Sequence, residues 1–124
     1  MHRSRLCSIV IDCQDADMDA AATFWGAAFG KPVGPKENDG KYITLETGVD
    51  EPIILIQNVE HPSRVHLDIE SDDLDAEVAR LEALGARRIG FVKRWWVMEA
   101  PTGHRFCVVR RQRGEFGPHV NEWP

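Results

Sequence analysis

The side chains with the clearest capacity for chemistry fall within residues 64–73, R-V-H-L-D-I-E-S-D-D. Polar and apolar residues alternate there with the period of a strand, so His66, Asp68 and Glu70 face one way and Val65, Leu67 and Ile69 the other. An imidazole suits acid and base work near neutral pH, and an Asp two residues along the same face can orient the ring or place charge beside it. Histidine is equally a metal ligand by type. Cys107, in the run F-C-V-V, has two readings: a nucleophile activated by His66, or a small residue filling a packed strand. The second is the simpler. With Cys7 and Cys13 it makes three cysteines without metal-finger spacing, which points to free thiols in a reducing cytoplasm.

The elements that must hold this strand can be read outward from it. Residues 6–15, L-C-S-I-V-I-D-C-Q-D, echo it: Ser8 and His66, Ile9 and Leu67, and Asp15 and Asp73 all stand 58 positions apart. This is a two-fold internal repeat. In the first half, a strand at 6–13 leads to a helix capped by Asp15 or Asp17 and running to Phe29, with Met18, Ala22, Trp25 and Phe29 as its buried stripe. Gly30 and Pro32 stop it. Residues 31–40 read as mostly loop with a short strand near Val33, and strands follow at 41–47 and 52–59.

In the second half, Asp72 or Asp73 caps a helix that buries Leu74, Val78, Leu81 and Leu84 and ends at Gly85. Strands at 87–92, 95–99 and 106–110 come next. Residues 112–124 read as an extended arm packed on the surface, with His119, Glu122 and Trp123 docking rather than reacting; His2 is expected to be disordered and His104 exposed. The expectation is one α+β domain of two strand–helix–three-strand modules, at about 6–59 and 64–109, with a C-terminal arm at 110–124.

Composition narrows the function classes. A net charge of −5 over 124 residues favours neither nucleic acid nor an anionic membrane as partner. No apolar run has membrane-spanning length, and the apolar stretch near the N-terminus ends at Asp12, too early for a secretion signal. Lys93-Arg94-Trp95-Trp96 is one short basic and aromatic patch, read as a loop entering a strand; alternation sends one of Trp95 and Trp96 to each face. Phosphate-loop, dinucleotide, zinc-protease and serine-hydrolase motifs are absent.

The segments D-x-D-M-D-A-A-A-T-F-W-G-A-A-F-G, R-V-H-L-D-I-E-S-D-D-L-D-A-E-V-A-R-L-E-A-L-G-A and A-P-T-G-H-R-F-C-V-V resemble the vicinal oxygen chelate superfamily, in its glyoxalase-like branch, from Leu6 to about Val109. That superfamily includes glyoxalases, ring-cleaving dioxygenases, epimerases and antibiotic-binding proteins. The resemblance implies two βαβββ modules forming a curved, cup-shaped mixed sheet in which a divalent metal is often held. Carried over residue by residue, the ligand places fall on Ser8, Gln57, His66 and Cys107, with Leu55 as the alternative to Gln57. Relatives carry His, Gln and Glu there, so only His66 is retained, and the resemblance implies a degenerate metal site. If a metal is bound, His66, Gln57 and Cys107 would hold it. If none is, His66 would be hydrogen-bonded to Ser8 or Gln57, or act as acid or base with Asp68 near it.

The resulting expectation is a glyoxalase-like small-molecule-binding protein or enzyme centred on His66, with Ser8, Gln57, Asp68, Trp95, Trp96 and Cys107 lining its pocket. One alternative is a non-catalytic drug-sequestering protein lined by Trp95 or Trp96. Another is a divalent-metal lyase or dioxygenase in which Glu46 or Asp68 supplies the missing carboxylate. Relatives often pair, so a cytoplasmic homodimer is expected.

Overall fold

The computed structural model describes residues 1–124. Its elements, in chain order, are β1 (His2–Gln14), α1 (Met18–Phe29), β2 (Val33–Glu37), β3 (Tyr42–Leu45), β4 (Ile53–Val59), β5 (Arg64–Ser71), α2 (Leu74–Ala83), β6 (Arg87–Val92), β7 (Trp95–Glu99), β8 (Arg105–Arg110) and β9 (Asn121–Trp123). The fold is α+β, with strand–helix–three-strand order run twice. The chain resolves into two compact units, Ser8–His66 and Met1–Cys7 with Leu67–Pro124, so the division falls inside β1 and β5.

In the unit Ser8–His66 the strands lie in the order β2-β3-β4-β1. β1 and β4 run parallel, with Asp12 level with Gln57, and β4 pairs antiparallel with β3. Helix α1 starts at Asp17, whose carboxylate accepts the Ala20 N–H at 3.2 Å, and ends at Gly30 in the left-handed region, φ 67°. Met18 and Ala22 from α1 pack on Ile43, Leu45 and Ile56, with Cys13, Trp25 and Ile54 at the margin. Ile43 and Ile56 sit opposite one another in register, and alternation sends Tyr42, Gln57 and Asp12 to the face away from the helix.

In the other unit the order is β5-β8-β7-β6, with β5 parallel to β8. Asp73 caps α2 by accepting from Ala76 at 3.0 Å. Val78 and Leu81 pack on Met98 and Val108, with Ile69, Trp96 and Phe106 beside them. No helix is long and apolar enough to cross a membrane.

Several sequence expectations shift. The stripes end sooner than read: Phe29 is 45% and Leu84 67% exposed, each at a helix terminus, and Phe29 stacks on Trp25 at 5.4 Å instead of entering the core. Residues 33–37 form a full strand, against the expectation of mostly loop, because β3 offers a free edge for pairing. β1 begins at His2 rather than Leu6. His2 is not disordered; it is 6% exposed, with Nε2 2.8 Å from the Glu77 carboxylate. The cause lies at the far end of the chain, where β9 pairs antiparallel with His2–Ser4 and the Trp123 indole N–H donates to Ser4 Oγ at 2.8 Å. The Arg80 guanidinium lies 3.8 Å over the Trp123 ring and also holds Glu77.

The same arm is fastened at Glu70. This carboxylate, with no exposed surface, accepts from the guanidiniums of Arg5 at 2.8 Å and Arg113 at 2.9 Å, and from the backbone N–H of Gln112 at 2.7 Å. Burial alone would raise its pKa, but these donors outweigh it and hold the carboxyl below its usual range. Glu77 behaves alike: burial raises it, and the bonds from Arg80, His2 and Ser4 bring it below the ordinary value.

Candidate functional site around His66

His66 stands on β5 with its side chain 15% exposed. Its Nδ1 lies 2.7 Å from Oδ2 of Asp12 on β1. A carboxylate oxygen only accepts, so Nδ1 carries the proton and donates it; the proton-accepting nitrogen of the neutral ring is then Nε2. Asp12 is 2% exposed, and its second oxygen, Oδ1, is buried without a hydrogen-bond partner. Two more basic groups stand at a distance from Oδ2: His61 Nε2 and Arg64 Nε, each at 3.9 Å. Burial pushes the Cys13 thiol up, and the adjacent Asp12 charge adds to the effect, which suits a packed cysteine rather than a nucleophile.

Sequence reasoning did not single out Asp12 as a site residue. The signal was present: Asp12 and Glu70 also stand 58 positions apart, each a carboxylate within an apolar strand, and both are buried. The two differ in how they are satisfied. Glu70 is saturated by donors, whereas Asp12 has one short bond and one orphaned oxygen. An unsatisfied buried carboxylate oxygen costs about 1–3 kcal/mol or more, so such a group is a candidate for function.

The other candidates fall as follows. Gln57 pairs in register with Asp12, while Ser8 pairs with Ile53, four residues or about 13 Å along the strand. Asp68 pairs with Cys107 across β5 and β8, just as Val10 pairs with Leu55 across β1 and β4, so register makes Leu55 the repeat counterpart of Cys107. Val97 is level with Cys107, so Trp95, two residues away, shares that face. Trp96 turns the other way, packing on the helix-side core, edge-on to Phe91 and beneath the Arg88 guanidinium. Asp68 and Cys107 stand level with one another on β5 and β8. The Asp12 contact leaves Nε2 of His66 as the ring nitrogen able to bind a metal, and a hydrogen bond to the other nitrogen is the support a metal-binding His commonly has.

A family model described as a glyoxalase-like domain matches residues 8–109. No curated protein sequence matches the chain. Among solved structures the chain is similar to methylmalonyl-CoA epimerase from Mycobacterium tuberculosis, at 19% identity over 86% of this chain and 87% of that one, TM-score 0.62. It is similar to the Mn(II)-bound glyoxalase from Novosphingobium aromaticivorans, at 18% identity over 90% of this chain and 43% of that one, TM-score 0.62. It is similar also to a mutant 4-hydroxymandelate synthase from Streptomyces coelicolor, at 14% identity over 93% of this chain and 51% of that one, TM-score 0.63. At such identities the likeness is one of fold.

Proposed function

The chain belongs to the glyoxalase-like domain family of the vicinal oxygen chelate superfamily, and from that premise we propose that it is a small-molecule-binding enzyme whose acid–base group is His66, oriented by Asp12. The observation that carries this is the 2.7 Å contact from Nδ1 to the buried Asp12 carboxylate. A ring held this way keeps one tautomer, accepts a proton from a bound ligand through Nε2, and shares the resulting charge with the carboxylate. Proton transfer at a carbon beside a carbonyl is the chemistry such a pair can perform alone.

The test uses carbonyl compounds and thioesters, methylmalonyl-CoA among them, in D2O. Ligands found by saturation-transfer NMR should exchange the acidic C–H in wild type. His66→Ala should still bind them but lose the exchange. Exchange that persists in His66→Ala overturns the reading, and binding without exchange in wild type leaves a sequestering protein.

A second reading is supported by the likeness to a Mn(II)-bound glyoxalase. His66 would be a ligand of a divalent metal, whose chemistry is to polarise a carbonyl oxygen as a Lewis acid. In that case Asp12 positions the ring rather than receiving its proton charge. A homodimer belongs to the same proposal, supported by exposed Ile89, Phe91 and Val92 along β6, and sedimentation velocity tests it. Three free cysteines support a cytoplasmic setting.

A further inference from the structure

The unit made of residues 1–7 and 67–124 holds a cavity of about 680 Å3 on the helix side of its strands. Its floor is aromatic. Phe91 on β6 and Trp96 on β7 meet edge-on, with ring centres 5.1 Å apart. The Arg88 guanidinium covers the Trp96 ring at 4.9 Å and is itself held by Glu82 at 3.0 Å, so the open apolar surface is that of Phe91, 52% exposed. One flank is the first turn of α2 and the other is the end of β8. Val108 on β8 is level with Trp96 and buried under α2, and alternation carries Arg110, two residues on, to the same face.

Most charged groups of the wall are already engaged. The Asp72 carboxylate accepts the Arg3 backbone N–H at 2.8 Å and the Arg3 guanidinium at 3.0 Å. Asp73 caps α2 through the Ala76 N–H, and Arg111 donates to Glu115 at 3.2 Å. Two groups remain. The Asp75 carboxylate and the Arg110 guanidinium have opposite charge and line the same cavity, yet they pair neither with each other nor with any other side chain. They are exceptions in a region where Arg3, Arg5, Arg111 and Arg113 each reach a carboxylate. A ligand with an anion and a cation on one carbon can bridge two side chains that do not close on each other, and it adds no net charge to a wall of both signs. A ring on the same molecule would cover Phe91 and remove its apolar surface from water. We propose that this cavity is a binding site for an aromatic α-amino acid, its carboxylate on the Arg110 guanidinium, its ammonium on Asp75 and its ring against Phe91. A peptide terminus offers only one of the two charges and is the poorer complement. The proposal does not draw on the His66 pair.

The test is an amide NMR titration of the full chain with L-tryptophan and three analogues that each lack one part: tryptamine without the carboxylate, indole-3-propionate without the ammonium, and alanine without the ring. Tryptophan should give saturable shifts at residues 72–75, 91, 96, 110 and 111. Each analogue should bind about tenfold more weakly or worse, the loss expected for one charge-assisted bond or one buried ring. Two variants separate the charges, and neither removes an existing side-chain contact. Arg110→Gln should weaken tryptophan about tenfold and leave tryptamine unchanged. Asp75→Asn should weaken tryptophan about tenfold and leave indole-3-propionate no weaker. Any analogue that binds as tightly as tryptophan overturns the proposal. So do shifts that map elsewhere, no saturable shift with tryptophan, or a tryptophan affinity that either variant leaves intact.

Discussion

Replacing each of the two buried carboxylates by its amide separates structural from functional acid. Glu70 is held by two guanidiniums and a backbone N–H, and Arg5 and Arg113 are themselves only 13% and 14% exposed. In Glu70→Gln the amide nitrogen would face a guanidinium, and two near-buried cations would lose their counter-charge. Breaking such a network costs about 3–5 kcal/mol. Asp12 has the opposite balance. In Asp12→Asn the side-chain oxygen still accepts from His66, so the loss is the charge-assisted part of one bond, roughly 1 kcal/mol; the amide NH2 takes the place of the orphaned oxygen, exchanging one unpaired polar atom for another while removing a buried charge. The expected change lies within about 1 kcal/mol of zero. With a urea dependence near 1.5 kcal/mol per molar, Glu70→Gln lowers the midpoint by about 2–3 M and Asp12→Asn moves it by less than about 0.7 M. Equilibrium urea unfolding at neutral pH reads both. If Asp12→Asn costs as much as Glu70→Gln, Asp12 is a structural acid and the argument from its orphaned oxygen fails.

Other outcomes follow from the same contacts. Glu70 and Glu77 titrate below their ordinary values in the folded chain, so their stabilisation is complete above the unfolded carboxylate range, roughly pH 4.3, and is lost as pH falls through the folded values. The urea midpoint should therefore drop on acidification, and less steeply in Glu70→Gln; parallel curves would contradict this. Cobalt(II) added to metal-free protein should produce visible absorption bands that His66→Ala abolishes, and no band in wild type removes the metal reading. Trp123→Ala loses the Arg80 stacking and the bond to Ser4, about 1–2 kcal/mol, and should speed amide hydrogen exchange at residues 2–4. Unchanged exchange there would mean the arm does not secure β1.

The architecture was legible because its signals are local. Asp17 and Asp73 cap helices where the sequence placed candidate caps, and Gly30 follows α1 in the left-handed region. The 58-residue echo marks the two strand–helix–three-strand runs in the sequence itself. What escaped were features set by distant partners. The start of β1 and the order at His2 depend on β9, more than a hundred residues away, and nothing in M-H-R-S announces that pairing. The ligand places implied by the resemblance point to Ser8 and Gln57 as partners of His66 and do not point to Asp12, whose carboxylate lies 2.7 Å from the ring. Alternation put Asp12 on the correct face, but only strand register decides which residue on a face comes level with the ring. The division of Trp95 from Trp96 was likewise fixed by parity, and its sense by which ring packs under α2.

The central claim is that His66 is held by Asp12 in one tautomer for use on a bound ligand. Long-range 1H–15N correlation spectra of the imidazole test it directly. In the neutral ring the proton should sit on Nδ1 in wild type, redistribute between the two nitrogens in Asp12→Ala, and respond when a small molecule binds. A ring protonated on Nε2 in wild type, or the same spectrum in Asp12→Ala, would contradict the account.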